Sequence, residues 1–183
     1  MTHLPPLTTK RISIYSDGSS GGSAKGAIGW GWIVTDWEDI LGTGSGAEPT
    51  GTNNAAELQG AIDGLKFIVD RGLHHHNVIE LVSDSTYTLG IANGEFDPQK
   101  NLERASEIRA LAILTKAHCR WIKGHSGDAF NDKADELAKF ARDKLSPDKG
   151  IRRRHRRREL RRQKRAIVKA YKRGDIYREP LKS

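Results

Sequence analysis

The period of apolar and polar positions changes several times along the chain, and each change marks an element. In residues 11–16 (RISIYS) Ile12, Ile14 and Ser16 alternate with Ser13 and Tyr15, the two-residue period of a strand, which Asp17-Gly18 is expected to end. Residues 27–35 (AIGWGWIVT) and 40–45 read as two further strands, with a hairpin turn over 36–39, so the first part predicts an antiparallel meander. The period then lengthens. Leu58, Ile62, Leu65 and Val69 recur at i, i+4, i+7 and i+11, a core-facing stripe that predicts a helix over 54–70. Residues 78–83 (VIELVS) form a short, largely apolar run, as in a buried strand. Residues 85–92 and 103–115 read as helices, separated by the breakers Asn93-Gly94 and Pro98. A fifth strand follows over 118–123 (HCRWIK). A last helix covers 128–145, with Phe130, Ala134, Leu137, Ala138 and Ala141 on one side. The order βββαβααβα predicts an α/β fold in which helices pack on a mixed sheet.

Residues 147–150 (PDKG) break this pattern. The stretch 152–173 beyond them is compatible with a helix and contains no Pro or Gly. Its larger apolar residues are only Leu160, Ile167, Val168 and Tyr171, too few for a core of its own. Three regions are expected: a flexible N-terminus over 1–10, a folded domain over 11–146, and a C-terminal tail over 147–183. Charge divides the chain at the same place. Residues 1–148 hold 15 Lys and Arg against 20 Asp and Glu, a net of −5; residues 149–183 hold 16 against 3, a net of +13. An acidic body and a basic arm need separate explanations.

Other features narrow the class. The chain has one cysteine, Cys119, so no intrachain disulfide forms and a reducing compartment is expected. Neither an apolar leader nor a run approaching the roughly 20 apolar residues of a membrane span is present. The expectation is a cytoplasmic monomer without a membrane partner.

Four segments carry candidate chemistry. Tyr15-Ser16-Asp17-Gly18-Ser19 follows the first strand, and Thr52-Asn53-Asn54-Ala55-Ala56-Glu57-Leu58 opens the first helix. Ser83-Asp84-Ser85 follows the fourth strand. Lys123-Gly124-His125-Ser126-Gly127 precedes Asn131 and Ala134-Asp135-Glu136-Leu137-Ala138. In this order and on these elements, the segments resemble the type 1 ribonuclease H family over about residues 10–145. The resemblance implies an RNase H-like sheet of three antiparallel strands followed by two parallel ones. It implies that Asp17, Glu57, Asp84 and Asp135 bind two Mg²⁺, with Mn²⁺ as a substitute, and that His125 is a catalytic histidine on a mobile loop. Thr52, Asn53 and Asn54 would touch the backbone of an RNA–DNA hybrid, with Gly18, Ser19 and Asn131 as further substrate contacts. The implied activity is endonucleolytic hydrolysis of the RNA strand, leaving a 3′-hydroxyl and a 5′-phosphate.

The residues support a physical reading beside that one. Asp17 and Asp84 each follow a strand, and crevices beyond strand ends are where open α/β sheets bind ligands. Glu57, in the first turn of its helix, shares an angular row with Ala61 and Ile68 and so points toward the sheet. Carboxylates 4 Å apart repel by roughly 1 kcal/mol per pair even in water, so a cluster needs protons or cations. Oxygen-only donors select hard ions such as Mg²⁺ and Mn²⁺. Each residue also has a plainer reading. Glu57 could close a capping box with Asn54, Asp17-Gly18 could be only a turn, Asp84 could cap the next helix, and Asp135 could lie on a solvated face. His74-His75-His76 reads as a solvated loop, Trp30 and Trp32 as packing residues, and Cys119 as a small buried residue.

One region departs from the family. Residues 93–116, where many members carry a basic, tryptophan-containing helix and loop, contain no Trp. They set Lys100, Arg104, Arg109 and Lys116 against Glu95, Asp97, Glu103 and Glu107. The basic arm is the candidate replacement, with Arg152, Arg153, Arg156 and Arg157 meeting phosphates of the hybrid or of another nucleic acid. Alternatively the arm solubilises the chain, or docks on structured RNA or an acidic protein. Two rival functions remain at this stage: a non-catalytic nucleic-acid adaptor, and a DNA strand-transfer nuclease of the same fold.

Overall fold

The computed structural model describes residues 9–21, 26–37 and 39–145, together with 158, 161 and 162. The chain divides into two units, Met1–Ser146 and Pro147–Ser183, and the first carries the elements described below. Arg152, Arg153, Arg156 and Arg157 lie outside the described residues, as do nearly all of the expected helical arm and residues 1–8.

Strands β1 (Arg11–Ser20), β2 (Ile28–Asp36) and β3 (Asp39–Glu48) form the antiparallel meander. After helix α1 (Asn53–Asp70) and a short 3-10 turn at Leu73–His75, strand β4 (Val78–Ser83) pairs parallel to β1, from Arg11↔Val78 to Tyr15↔Val82. Helices α2 (Thr86–Ala92) and α3 (Leu102–Thr115) lead to β5 (His118–Trp121), parallel to β4, and α4 (Ala129–Leu145) follows. The sheet order is β3-β2-β1-β4-β5, the expected five-stranded mixed sheet with β1 at its centre.

One boundary differs from the sequence reading in a way that matters for function. Asp17-Gly18 does not turn; β1 continues through both, Asp17 opposite Gly31 and Gly18 opposite Trp30, to Ser20. The long-range ladder with β2 overrides the weak local turn signal. The first helix also starts a residue earlier than expected, because the Thr52 hydroxyl accepts from the Ala55 N–H at 3.2 Å and caps it. Glu57 consequently sits in the second turn.

The two faces of the sheet are covered differently. On one, Leu58, Ala61, Ile62, Leu65 and Ile68 of α1 pack with Ile12, Ile14, Ile79 and Leu81 of the strands and with Leu89, Ile91 and Ile108 of α2 and α3. Trp30 and Trp32 face the same way. The Trp30 indole N–H donates to Asp63 Oδ2 at 2.7 Å, and the Trp32 ring lies 5.1 Å from that of Phe67. Both tryptophans are packing residues, as expected. On the other face α4 lies so close to β2 that a Cβ on Gly29 or Gly31 would come within 2.3 and 2.4 Å of the Ala138 and Ala134 carbonyl oxygens. Tyr15 also points to this side and meets Phe130 of α4, ring centres 5.3 Å apart.

Candidate metal centre

The acidic site follows from register. The parallel ladder of β1 and β4 ends at Tyr15↔Val82, and two residues further along each strand stand Asp17 and Asp84. Side chains alternate across a strand, so both carboxylates leave the sheet on the side of Tyr15 and Val82. Asp17 is held inside a continuing strand, whereas Asp84 is the first residue after β4. Glu57 arrives from α1. That helix presses on β1 at Gly18, where an added Cβ would lie 2.5 Å from the Glu57 nitrogen and 2.9 Å from the Ala56 carbonyl carbon. Gly18 is thus required by the close approach that brings Glu57 to Asp17, and its N–H donates to Asp17 Oδ1 at 2.7 Å.

One carboxylate oxygen from each of Asp17, Glu57 and Asp84 can be chosen so that all lie within 4.8 Å of one another. Glu57 is 6% exposed. Its Oε1 accepts from Asn53 Nδ2 at 3.0 Å, while Oε2 is buried with no hydrogen-bond partner. Burial, then the charges of Asp17 and Asp84, push the Glu57 carboxyl well above its usual range, against the opposing pull of Asn53 and the Gly18 N–H. Burial likewise raises Asp17, to about 7, reinforced by Asp84 and Asp135 and opposed by the Gly18 N–H and Lys139. Asp135 therefore lies near enough to be felt, yet it stands outside the group of three. Its carboxylate is ion-paired with Lys139, one helical turn along α4.

The plainer readings of these acids do not match the geometry. Thr52 caps α1, and Ser85 caps α2, its hydroxyl accepting from the Thr88 N–H at 3.2 Å. Neither Glu57 nor Asp84 is therefore used as a cap, and Asp17 is in a strand rather than a turn. Around the cluster, Thr52, Asn53 and Asn54 are exposed at the start of α1. Ser19 is buried and its hydroxyl accepts from Arg142 Nη1 at 2.6 Å. Asn131 is 3% exposed, with its side-chain oxygen unpartnered. His125 is exposed, with a positive φ of 55°, in the turn between β5 and α4. The neighbouring Gly124 touches the cluster itself: a Cβ there would fall 2.3 Å from Asp84 Oδ2.

Two participants escaped the sequence reading. Lys139 was legible in principle, as a cation four residues after Asp135 on a helix face. Trp121 was not: its indole N–H donates to the Asp84 carbonyl at 3.1 Å, a contact only the folded sheet creates. Elsewhere the cations of α3 are engaged internally. Arg104 bonds Gln59 Oε1 at 2.8 Å and pairs with Glu48, and Arg109 bonds the Phe96 carbonyl and Asp97 at 2.6 and 2.7 Å. Cys119 is half-buried and its thiol is pushed up to about 11 by burial and Glu95, so it is not a reactive nucleophile. His74 and His75 stack 4.1 Å apart at the 3-10 turn, and among the described residues they join no potential metal group. No helix of the described residues is long and apolar enough to cross a membrane.

A mixed sheet in the order β3-β2-β1-β4-β5, with acidic side chains gathered where β1 and β4 part, defines the ribonuclease H class of α/β fold. Comparisons agree with that assignment. The family model described as RNase H matches residues 9–143. A ribonuclease H of Sulfurovum sp. is 34% identical over 138 residues, covering 71% of this chain and 89% of its own. Among solved structures, the N-terminal RNase H domain of a Mycobacterium tuberculosis protein is 27% identical, with a TM-score of 0.64 over 75% of this chain and 96% of that one. LC11-RNase H1, isolated from compost and solved with an RNA/DNA hybrid, is 25% identical, with a TM-score of 0.63 over 73% and 97%. The chain belongs to the RNase H family. It is a hydrolase, a ribonuclease H, of a family that uses divalent metal, and Asp17, Glu57 and Asp84 could hold such an ion.

Proposed function

We propose that this chain is an endonuclease that hydrolyses the RNA strand of RNA–DNA hybrids with two Mg²⁺ per site, Mn²⁺ substituting, and leaves a 3′-hydroxyl and a 5′-phosphate. The observation that carries this reading is the buried, unpartnered Oε2 of Glu57 beside Asp17 and Asp84. A buried anionic oxygen without a donor is costly unless a cation meets it. The donor set fits the ion, because every candidate ligand atom is a carboxylate oxygen, the hard donor that Mg²⁺ takes. Asp17, Glu57, Asp84 and Asp135 would hold the metal. Such ions, when bound, supply an activated water and neutralise the leaving oxygen at phosphorus.

The protein's own groups do the positioning. The Gly18 N–H and the Asn53 amide fix one oxygen each of Asp17 and Glu57, which leaves the second oxygens for metal. Asn53 and Asn54 stand exposed beside the site, suited to 2′-hydroxyl contacts in the minor groove of a hybrid, and Thr52 to its backbone. His125, exposed on a glycine-flanked turn, carries a proton or helps product leave. The basic arm, including Arg152, Arg153, Arg156 and Arg157, supplies affinity through counterion release. LC11-RNase H1 in its hybrid complex supports the choice of substrate. A cytoplasmic location fits the single, half-buried cysteine.

The test is cleavage of a labelled hybrid, duplex RNA and duplex DNA, each with Mg²⁺ or with chelator. Cleavage of the hybrid's RNA strand alone, and only with metal, is expected. Cutting in chelator, or of duplex DNA, would refute the assignment.

A further inference from the structure

The β4–α2 connection leaves one backbone acceptor of the site outside the flanking ladders, although the Ser85 N–H bridges the connection to Ser83 Oγ at 3.1 Å. The last β4–β5 pair is Ser83↔Trp121, and the Ile122 N–H still reaches the Ser83 carbonyl at 3.1 Å. On the helical side the Leu89 N–H takes the Ser85 carbonyl. The Asp84 carbonyl falls between these two ladders and belongs to neither, yet it sits on the residue whose side chain must be aimed at the cluster.

The exit of β5 closes around this residue. The Trp121 indole N–H donates to the Asp84 carbonyl, while Gly124, three residues on, packs against the Asp84 carboxylate. Trp121 is 55% exposed, so water has access to this end of the sheet. Water could satisfy the same carbonyl but could not fix its direction. A large ring left half in solvent, with its one donor given to a ligand residue's backbone, is hard to explain as core packing.

We propose that Trp121 is a positioning residue for the metal site, its indole N–H on the Asp84 carbonyl holding the backbone that aims the Asp84 carboxylate. The inference rests on the reading of Asp84 as a ligand. Trp121 touches neither metal nor hybrid in this role, and it acts through Asp84. Partners of this outer kind commonly change metal affinity or activity by about 10- to 100-fold. A neutral donor acting on a carbonyl belongs at or below the lower end, so about three- to tenfold is expected.

The experiment compares full-length wild type, Trp121→Phe, Trp121→Ala and Asp84→Asn. Phe keeps an aromatic ring and loses the donor. Calorimetric titration with Mn²⁺ should show affinity about three- to tenfold weaker in Trp121→Phe and lost in Asp84→Asn. In metal-free protein, amide exchange across residues 83–86 should quicken in Trp121→Phe. Its turnover should fall at low Mg²⁺ and recover at high Mg²⁺, with KM for hybrid unchanged. Mn²⁺ affinity and amide exchange equal to wild type in Trp121→Phe would overturn the role. So would a raised KM confined to Trp121→Ala, which would make the ring a substrate contact. Failure of the wild type to bind Mn²⁺ would instead overturn the metal reading of the site, an outcome separable from equal binding by wild type and Trp121→Phe.

Discussion

Asp17→Asn removes one charge from the acidic pocket while keeping its shape and an acceptor for the Gly18 N–H. The folded environment raises Asp17 from 3.8 to about 7, mainly through burial, then through Asp84 and Asp135. Three units at about 1.4 kcal/mol each set a ceiling on the order of 4 kcal/mol for what the ionised carboxylate costs the metal-free fold. Asn still has to be desolvated, and the neighbouring acids share the repulsion, so a gain of about 1–3 kcal/mol is expected at pH 8. At roughly 3–4 °C per kcal/mol for a domain of this size, melting should rise by about 3–12 °C. The pH dependence has a definite sign. Between the unfolded value near 4 and the folded value near 7 the native state binds the extra proton. The Asp17 contribution to wild-type stability is therefore most favourable below about pH 4, is lost between pH 4 and pH 7, and levels above that. Melting curves by circular dichroism in chelator, from pH 4 to pH 8, should separate the two proteins at pH 8 and bring them together near pH 4. A variant less stable than wild type at pH 8, or an offset of equal size at both ends, would refute the electrostatic account. With Mg²⁺ the wild type should recover stability, and Asp17→Asn should bind hybrid without cutting it.

Other expectations can be checked one by one. Gly124→Ala places a methyl 2.3 Å from Asp84 Oδ2; metal affinity should fall about tenfold or more with little change in melting, and an unaltered Mg²⁺ titration of activity would count against the contact. His125→Ala should lower the turnover number by about 10²-fold while leaving the fold intact; an unchanged turnover number would remove His125 from the mechanism. Deleting residues 149–183 should weaken hybrid binding and flatten its dependence on salt while turnover at saturating hybrid survives; an unchanged salt slope would assign the arm to another partner. Trp30→Phe deprives Asp63 of the indole donor and should cost about 1–3 kcal/mol of stability with no effect on catalysis, as read from paired melting and activity measurements.

What could be read without coordinates was whatever is written locally. The stripe from Leu58 to Leu65 and the apolar run 78–83 each gave the right element, because the core selects period directly. The acids were legible through their company: Asp84 ends an apolar run, and Glu57 shares a helical row with Ala61 and Ile68, both fully buried. All but one of the misreadings share a cause. Asp17-Gly18 resembles a turn over two residues, and only pairing with β2, a distant strand segment, makes it extended. Val69, placed on the core stripe, yields to Ile68, because the buried face of α1 is centred on the side of Ala61 and Gly64 rather than on the predicted row. Gly18 carries its meaning in the helix that crosses it, and Trp121 in a carbonyl 37 residues away. Contacts of that range have no short-period signature.

Asp17 is woven into the sheet between partners on β2, whereas Asp84 hangs from the tip of a six-residue strand. The wall at residue 17 is therefore held by a strand ladder, whereas the wall at residue 84 is held by single contacts, the Trp121 indole and the Ser83–Ser85 bond, and is the more compliant of the two. Cations of different radius would be accommodated by the compliant side. In a series of structures with ions of increasing size, residue 84 and its flanking turn should travel, and residue 17 should stay where the sheet puts it.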